Sequence, residues 1–551
     1  MLRRHRSLTR RFIDKGMSWG RRLPPRWRRA VRRAVLTPAP NASARSPLLA
    51  LQPATDRVAG TAAEVVTSFD FWAHRRELAA TAVAALSEAG IESLLLDSQQ
   101  ELIVVVKRCD RRAAIAALGS HPDTRHWWAV GANGKPLLLT EAKAASQLGN
   151  ANQLFRKLVS PQGWHVADRE AHIELQFWAA AGPNAPRVDG GEHDPETLLA
   201  VKPNLSTLSV TSRQWQEAQA CPGHRLALST IPHVLELQEP VDLVYTWVDD
   251  EDPAWQQRRA EADPTRRPLA ADALDPARTR AGDHLRYSLR SAAMYAGWAR
   301  HIWIVTDAQT PDWLVPDHPN ITVIDHREIF SDPSVLPTFN SQAIESQLHH
   351  IPGLAEHFLY LNDDFFFGAA VRPEDFFEGN GVATFMMSSV PVDRDADDTP
   401  RNAAMLAARR NRALLEKTFH RTVTNRMQHV PNALTKTTLQ SFEDQFPDLV
   451  AAVASSQFRS SEDYSIPSDL AHYYGYARSE AVPGSIRFRY VDVGSATLLE
   501  NLESLLVERS AQTFCLNDVG AYTEPLPEEL IDRFLAAYFP VPSPFETWAR
   551  P

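Results

Sequence analysis

The chain has 551 residues, of which 44% are hydrophobic, and it carries a formal net charge of −9. This length and composition predict a globular protein of about two to four domains. The three cysteines, Cys109, Cys221 and Cys515, are far apart and form no CxxC pair, which argues against a disulfide framework or a zinc ribbon and favours a reducing, cytosolic setting.

The N-terminal leader is strongly basic. Residues 1–33 contain 13 Lys and Arg residues and one acid, a net charge of +12, which leaves −21 for the rest of the chain. That acidic remainder argues against nucleic-acid binding by the body of the protein. No apolar run approaches the ~18 residues of a membrane span, and the leader lacks the apolar stretch of a secretory signal. Two interpretations stay open for it: peripheral contact with the anionic inner face of a plasma membrane, or a disordered basic tail on a cytoplasmic protein.

A small α+β domain is predicted after this leader. Pro, Ala and Ser dominate residues 37–62, so 1–62 is interpreted as a basic segment and linker. Between 63 and 181 the pattern predicts a helix ending at Gly90, a second helix in RRAAIAALGS, strands in IESLLL, ELIVVV and HIELQFWAA, and a hairpin that turns at Asn133-Gly134. No catalytic motif is present there, which favours an accessory role. Residues 182–235 are predicted to connect this domain to the next.

Strands and helices alternate in residues 236–551, which predicts an α/β domain with a mainly parallel sheet. The strands lie in VDLVYTWVDD, HIWIVTD and HFLYLNDD, and helices are predicted in DHLRYSLRSAAMYAG and NSQAIESQLHHI. Each of these three strands ends in acids. Because ligands bind beyond the carboxyl ends of parallel strands, such acids predict a site for a hard divalent cation. The alternative is that each acid caps a helix N-terminus.

Basic residues that suit phosphate binding accompany these acids. The candidates are Arg286, Arg290, Arg459 and His429. No GxGxxG follows a strand and no GxSxG is present, so neither a dinucleotide-binding fingerprint nor a hydrolase nucleophile elbow is supported.

Long strings in this second region are more specific than the α/β pattern. VDLVYTWVDDEDPAW, and then the stretch from LRYSLRSAAMYAGW to HFLYLNDDFFFG, resemble the first two conserved blocks of the Stealth family of sugar-phosphate transferases. The stretch from AARRNRALLEKTF through HVPNALTKTTLQSFEDQFPDL to SSQFRSSEDYSIPSDLAHYYGY resembles the third block, and FCLNDVG with the later FLAAYFPVPSPFE resembles the fourth. The blocks occur in family order and cover most of residues 239–549.

The resemblance implies an activity. The family includes bacterial capsule and exopolysaccharide phosphotransferases and the enzyme that adds N-acetylglucosamine 1-phosphate to lysosomal glycoproteins. It implies transfer of a hexose 1-phosphate from a nucleotide sugar, typically a UDP-sugar, to a glycan hydroxyl, with release of UMP. Two other interpretations stay open: a metal-dependent glycosyltransferase that uses the same donor and releases UDP, and a non-enzymatic scaffold for polysaccharide assembly.

The resemblance also implies the positions of the site. It implies catalytic roles for Glu345, Asp363, Asp364, His429 and Arg459, a cation site at Asp363, Asp364, Asn517 and Asp518, and substrate contacts at Asn362 and His349. Gln342 and Gln347 stand where the family often has histidines. His349 lies four residues after Glu345, a spacing that predicts one shared helix face, either in the site or as a surface pair.

These assignments predict a mechanism that depends on Mg²⁺ or Mn²⁺. Asp364, with Asp363 or Asp518, is predicted to hold the cation on the donor diphosphate. Arg459, with Arg286 or Arg290, is predicted to hold the transferring phosphate, and His429 to accept the proton of the acceptor hydroxyl. Further donor contacts are predicted at the end of the first strand, where Tyr245 and Trp247 pack either on the uracil ring or in the core, and at Asp249.

The stretch LYLNDDFFFG constrains where its two acids lie. Successive side chains of a strand point to opposite faces, so Asp363 and Asp364 could not share a ligand if both lay on the strand. The strand is therefore predicted to end near Asn362, with both acids on the following turn and Asp364 as the preferred cation ligand.

Overall fold

The computed structural model describes residues 63–98, 101–184, 194–226, 231–262, 269, 274, 283–392, 403–517 and 528–547. The leader and linker, residues 1–62, and the predicted ligand Asp518 lie outside these ranges. Within them, no helix combines the length and the apolar character that crossing a membrane requires.

The first region of the described chain is an α+β arrangement of one eight-stranded sheet and a separate three-stranded sheet. Its strands are β1 (Glu64–Val65), β2 (Ser93–Asp97), β3 (Leu102–Lys107), β4 (Trp128–Val130), β5 (Pro136–Leu138), β6 (Ala151–Phe155), β7 (Leu158–Val159), β8 (His165–Ala167), β9 (Ile173–Ala180), β10 (Leu198–Leu199) and β11 (Ser209–Val210). Its helices are α1 (Phe71–Glu88), α2 (Arg111–Ser120), α3 (Ala144–Gln147) and α4 (Ser212–Gln219).

Local sequence signals explain several of these elements. The Asp70 side chain caps α1 by accepting from the backbone N–H groups of Trp72 (2.8 Å) and Ala73 (3.0 Å). The predicted helix end is confirmed, because Gly90 follows the last turn in a left-handed conformation with φ of 70°. The predicted hairpin is also confirmed: β4 pairs antiparallel with β5 across the loop that contains Gly134.

Part of the segment for which the sequence predicts only a connection, residues 182–235, extends this sheet. Strand β10 pairs antiparallel with both β9 and β11. Leu198, Val210 and Trp215 are buried against Leu94 and Ile103 on one face of the sheet. A strand of two residues is too short to show the alternation of apolar and polar side chains that predicts a strand. The burial of these side chains, and not a local pattern, therefore determines where β10 and β11 lie.

The second region alternates strands and helices along the chain. Its strands are β12 (Val241–Thr246), β13 (Ile302–Thr306), β14 (Ile321–Asp325), β15 (His357–Asn362), β16 (Phe365–Phe367), β17 (Ala383–Phe385), β18 (Met387–Pro391), β19 (Asn425–Met427), β20 (Asn432–Thr435), β21 (Ala481–Pro483), β22 (Phe488–Asp492) and β23 (Thr513–Asn517). Its helices are α5 (Pro253–Glu261), α6 (His284–Tyr295), α7 (His326–Ile329), α8 (Ser341–Glu345), α9 (Ala403–Phe419), α10 (Lys436–Gln445), α11 (Pro447–Ala454), α12 (Ala471–Ala477), α13 (Leu498–Glu508) and α14 (Glu528–Tyr538).

The main sheet of this region has the strand order β14-β13-β12-β15-β20. Strand β12 pairs parallel with β13 and β15, β13 pairs parallel with β14, and β20 is antiparallel to β15. Thr246 lies opposite Asn362 on one side and Val305 on the other. The carboxyl ends of β12, β13 and β15 therefore meet at one edge of the sheet. The predicted α/β class is confirmed.

A smaller sheet, in the order β16-β23-β22, brings the C-terminal part of the chain to that edge. Phe365 at the start of β16 lies opposite Cys515, and Asp492 lies opposite Asn517. Phe366 stacks on Phe514 with ring centroids 5.1 Å apart. This aromatic packing fixes the smaller sheet beside the last residues of β15.

One predicted helix is shorter than expected. α8 ends at Glu345, and the backbone then tightens: Gln347 N–H donates to the Ile344 carbonyl, and Leu348–His350 forms a 3-10 turn. The change from i−4 to i−3 hydrogen bonds alters the angular spacing of the side chains. The prediction that Glu345 and His349 share one helix face is therefore wrong. Glu345 accepts from the Ser468 hydroxyl, whereas His349 contacts Glu443.

Candidate active site

Two acids occupy the turn that follows the central strand β15. The predicted end of this strand at Asn362 is confirmed; Asp363 and Asp364 form the turn, and β16 begins at Phe365. Both acids are half-buried. We call this pair the acidic turn. It is attached to β23, because Leu516 N–H donates to the Asp364 carbonyl at 3.1 Å and the Cys515 thiol donates to Asp364 Oδ2 at 3.3 Å.

The electrostatics of the acidic turn favour a cation. Burial, together with the negative charges of Asp364 and Asp250, raises the pKa of Asp363 well above its usual range. Burial and the neighbouring Asp364 also raise the pKa of the Cys515 thiol, so it remains a protonated donor. Close carboxylates of like charge, supplied by two adjacent strand ends, form the hard oxygen donor set that Mg²⁺ and Mn²⁺ prefer. The residues present therefore fit the predicted cation.

Residues from the third and fourth family-like strings surround this turn. The His429 ring packs edge-on against Phe365 (centroids 6.2 Å apart) and against Tyr490 (5.5 Å). Asn517 Nδ2 donates to the Tyr490 hydroxyl at 2.8 Å. Burial, followed by the effect of nearby Cys515 and acids, raises the pKa of Tyr490 to about 12. The fold thus gathers His429 and Asn517, more than eighty residues apart in sequence, next to the acidic turn.

A second polar group adjoins the turn through Asn362. Its members are Thr246, Ser341, Glu345, Tyr360, Asn362, Arg459 and Ser468, and we call it the glutamate–arginine network. The Tyr360 hydroxyl lies 3.1 Å from Thr246 Oγ1 and donates to Asn362 Oδ1 at 2.8 Å. Arg459 Nη2 donates to the Ser341 hydroxyl at 2.7 Å, and the Ser468 hydroxyl donates to Glu345.

Glu345 is the buried acid of this network. Burial raises its pKa, while hydrogen bonds from Ser468 and the charge of Arg459 act in the opposite direction. Burial and the adjacent Glu345 raise the pKa of the Tyr360 phenol well above its usual range, so it stays a hydrogen-bond donor. These contacts connect Asn362 to Arg459 through Tyr360 and Glu345.

Other predicted residues form buried hydrogen bonds or ion pairs within the fold. Tyr245 is fully buried and its hydroxyl accepts from Ser288 Oγ at 3.3 Å, which is the core position that the sequence left open as the alternative. Arg290 donates to both carboxylate oxygens of Glu546, at 2.8 and 2.6 Å. Asp307, the acid at the end of β13, accepts twice from Arg258, at 3.0 and 2.8 Å.

The remaining predicted contact residues differ in burial. Trp247 is half-buried just beyond β12, and Asp249 N–H donates to the Gln309 side chain at 2.9 Å. Arg286 contacts Asp283 at 3.2 Å and lies over the Trp313 ring at 5.1 Å. His349 is buried and contacts Glu443 at 2.6 Å, outside the acidic turn and the glutamate–arginine network.

The sequence reasoning missed several residues of this site. Ser341 and Ser468 lie inside the strings that carry the family resemblance, and Cys515 lies in FCLNDVG, so a reading of those strings position by position could have included them. Tyr490 lies in none of the strings and no local signal marks it. The sequence pattern marks Tyr360 only as an apolar strand residue, although its hydroxyl contacts both Thr246 and Asn362.

Comparison with known proteins finds one family along the second region of the chain. Four family models match in order: Stealth protein conserved region 1 at residues 239–267, region 2 at 278–385, region 3 at 428–476 and region 4 at 503–551. Together these regions contain the acidic turn, Glu345, His429, Arg459 and Cys515.

Curated relatives match over most of the chain. An exopolysaccharide phosphotransferase of Streptomyces coelicolor is 37% identical over 487 residues, which is 85% of this chain and 82% of that protein. The exopolysaccharide phosphotransferase CpsY of Mycobacterium leprae is 33% identical over 84% of this chain and 85% of its own. The solved structure of the galactosyltransferase LgtC is 11% identical, and the match covers 53% of this chain and 95% of that protein with a TM-score of 0.26.

These matches identify first the class of enzyme and then the family. It is an enzyme, a transferase of phosphorus-containing groups. The chain belongs to the Stealth family, and the resemblance found in its sequence is confirmed.

Proposed function

We propose that this enzyme is an exopolysaccharide or capsule phosphotransferase. It moves a hexose 1-phosphate from a UDP-sugar to a glycan hydroxyl, which forms a phosphodiester and releases UMP. The observation that carries the proposal is the convergence of the acidic turn, His429 and the glutamate–arginine network on the carboxyl edge of one sheet. In this proposal residues 236–551 form the transferase domain, residues 63–181 are accessory, and the basic leader contacts an anionic membrane face.

The first role of the site is to receive the donor diphosphate. Asp363, Asp364 and Asn517 provide oxygen ligands at the strand ends, and Asp518, which follows Asn517 in the sequence but lies outside the described residues, is proposed as a further ligand. Asn517 already donates through its Nδ2 to Tyr490, which leaves its Oδ1 oriented as an acceptor. The chemistry that a bound Mg²⁺ or Mn²⁺ supplies is neutralisation of charge on the diphosphate.

The second role is the transfer itself. The acceptor oxygen attacks the β-phosphorus of the donor, its proton passes to His429, and the bond from phosphorus to the oxygen of UMP breaks with both electrons leaving on UMP. Arg459, fixed by Ser341, holds the transferring phosphate, and Glu345 positions Arg459 through its charge. The packing of His429 on Phe365 keeps the imidazole beside the acidic turn.

Donor isotopes and nucleotide release test this proposal. The purified full chain is incubated with UDP-sugars that carry label in the β-phosphate or in the sugar, together with a polysaccharide acceptor. We expect both labels to enter polymer and UMP to accumulate, with both signals lost in excess EDTA and in Asp364→Asn. If only the sugar label enters and UDP accumulates, the protein is instead a metal-dependent glycosyltransferase. Activity that persists in EDTA would exclude the cation.

A further inference from the structure

Two adjacent histidines and a glutamate form a compact cluster apart from the acidic turn. His349 and His350 belong to the 3-10 turn after α8, and Glu443 belongs to α10. Nε2 of His349 lies 2.6 Å from Glu443 Oε2, and Nε2 of His350 lies 2.8 Å from the same oxygen. Among the described residues, these three side chains are the group of His, Cys, Asp or Glu whose ligand atoms come within 4.8 Å of one another.

The hydrogen bonds of His350 determine which of its ring nitrogens carries a proton. Its Nδ1 lies 3.1 Å from the backbone carbonyl of Ile329, which can only accept, and 3.3 Å from the Ser331 hydroxyl, which can accept as well as donate, so Nδ1–H as the donor satisfies both contacts. In the neutral ring Nε2 then carries a lone pair. Glu443 Oε2 is also an acceptor, and two acceptors 2.8 Å apart require a cation between them, either a proton or a metal ion. Donation of the distal ring N–H to a backbone carbonyl is also the usual arrangement around metal-bound histidine.

His349 can present its Nε2 without losing any other contact. The residue is 2% exposed, and its Nδ1 is buried with no hydrogen-bond partner among the described residues. A proton placed on Nδ1 therefore gives up only the hydrogen bond from Nε2 to Glu443, and Nε2 becomes available as a ligand. The side chains of His350 and Glu443 are 22% and 21% exposed, so water can complete the coordination from outside.

We propose that His349, His350 and Glu443 form a binding site for a transition-metal dication of the zinc class, distinct from the hard-cation site at the acidic turn. Imidazole nitrogens with one carboxylate favour zinc-like ions over magnesium. Ligand bonds of about 2.0–2.1 Å put tetrahedral ligand atoms about 3.3 Å apart, so the three side chains need to separate only slightly. The site ties the turn after Glu345 to α10 and does not depend on the proposed phosphotransfer.

Metal binding by the full chain tests this site directly. The protein is stripped with chelator and titrated with Zn²⁺ against a competing chromophoric chelator, and bound metal is counted by mass spectrometry. The variants are His350→Ala and Glu443→Gln, and the matched control is His121→Ala, which removes a surface histidine that contacts Glu88 at 3.1 Å. We expect wild type and the control to bind one zinc equivalent that both cluster variants bind more than about 100-fold more weakly, since outer-shell changes alone cost ~10–100-fold.

A second readout covers the case in which a variant folds poorly. Zn²⁺ should raise the Tm of wild type and of His121→Ala, and should leave the Tm of Glu443→Gln unchanged. Glu443→Gln keeps the side-chain size, so it decides the matter if His350→Ala does not fold. Equal zinc affinity in wild type and Glu443→Gln, or no zinc equivalent bound by the wild type, would overturn the proposal and leave a cluster held together by a proton.

Discussion

The Cys515 thiol donates to Asp364 Oδ2 across 3.3 Å, and so joins the last described strand of the smaller sheet to the acidic turn. The two residues are 151 positions apart. Because burial and the neighbouring carboxylate keep this thiol protonated, it acts as a fixed donor that orients the proposed cation ligand.

Cys515→Ala should therefore lower kcat/KM, since Asp364 loses the donor that orients it, and should destabilise the fold by about 1–3 kcal/mol through loss of a buried hydrogen bond. Cys515→Ser keeps a donor and should retain most of the activity. Kinetics and urea unfolding measure the two effects. The exposed Cys221 provides the control: Cys221→Ala should match wild type. Wild-type kinetics for Cys515→Ala would contradict a role for this contact.

His429→Ala tests the proton acceptor. Loss of a general base should reduce turnover by about 10²–10⁴-fold, while affinity for the UDP-sugar, measured by calorimetry, should stay within a few-fold of wild type because His429 is assigned to the acceptor side. His318→Ala removes an imidazole that packs on Phe545 at 4.9 Å and serves as the matched variant. Normal turnover by His429→Ala would remove the residue from the mechanism.

Arg459→Lys tests phosphate recognition. A lysine keeps the positive charge but loses the planar fork that suits phosphate oxygens, so turnover should fall by about 10²–10³-fold, the typical cost of one contact to transition-state charge. The Tm should change little because Arg459 is only part-buried. If Arg459→Lys turned over like wild type, its charge alone would be enough and bidentate contact would be ruled out.

Arg290 is expected to affect stability, because it forms a mostly buried ion pair with Glu546. Arg290→Ala leaves that carboxylate buried without its cation and should cost about 3–5 kcal/mol of unfolding free energy. Arg213→Ala is the matched control: its pair with Glu217 is exposed and should be worth less than ~1 kcal/mol. Urea unfolding measures both. A small effect of Arg290→Ala would show that Glu546 is held well enough by Ser543, whose N–H and hydroxyl donate to it at 2.8 and 3.0 Å.

Asp469 should make stability depend on pH. Burial raises its pKa from the ordinary 3.8 to about 6, against the hydrogen bond from Asn411. The folded state thus binds this proton more tightly than the unfolded state does. Protonated Asp469 therefore adds its full amount to the free energy of unfolding below pH 3.8, and this stabilisation is lost as pH rises through about 6. That shift corresponds to at most ~3 kcal/mol. Unfolding free energies measured from pH 4 to 7 should show this slope in wild type and not in Asp469→Asn; equal slopes would contradict the assignment.

Much of the candidate site could be predicted from local sequence because its acids follow strands. Apolar runs that end in acids marked β12, β13 and β15, and the alternation of side chains along a strand placed the end of β15 at Asn362, which is confirmed. Long strings indicated the Stealth family, and their order agreed with the matched regions. These signals are readable because strand period and family strings are local properties of the chain.

Residues with the same local sequence pattern have different environments where their contacts come from distant parts of the chain. Asp307 resembles Asp364 in sequence, yet Arg258 neutralises Asp307 in an ion pair. The spacing of Glu345 and His349 predicted one helix face, but a 3-10 turn sends one side chain to Ser468 and the other to Glu443.

The sequence by itself determined the family, the α/β class and the turn that carries the paired acids, because each depends on residues close together in the chain. Only the tertiary structure decided which acids pair with an arginine and what surrounds the others. Cys515, Tyr490 and Asn517 reach the acidic turn through the pairing of β16, β22 and β23, and Glu443 reaches His349 through the packing of α10. These contacts join residues more than ninety positions apart in the chain, so no local sequence pattern can predict them.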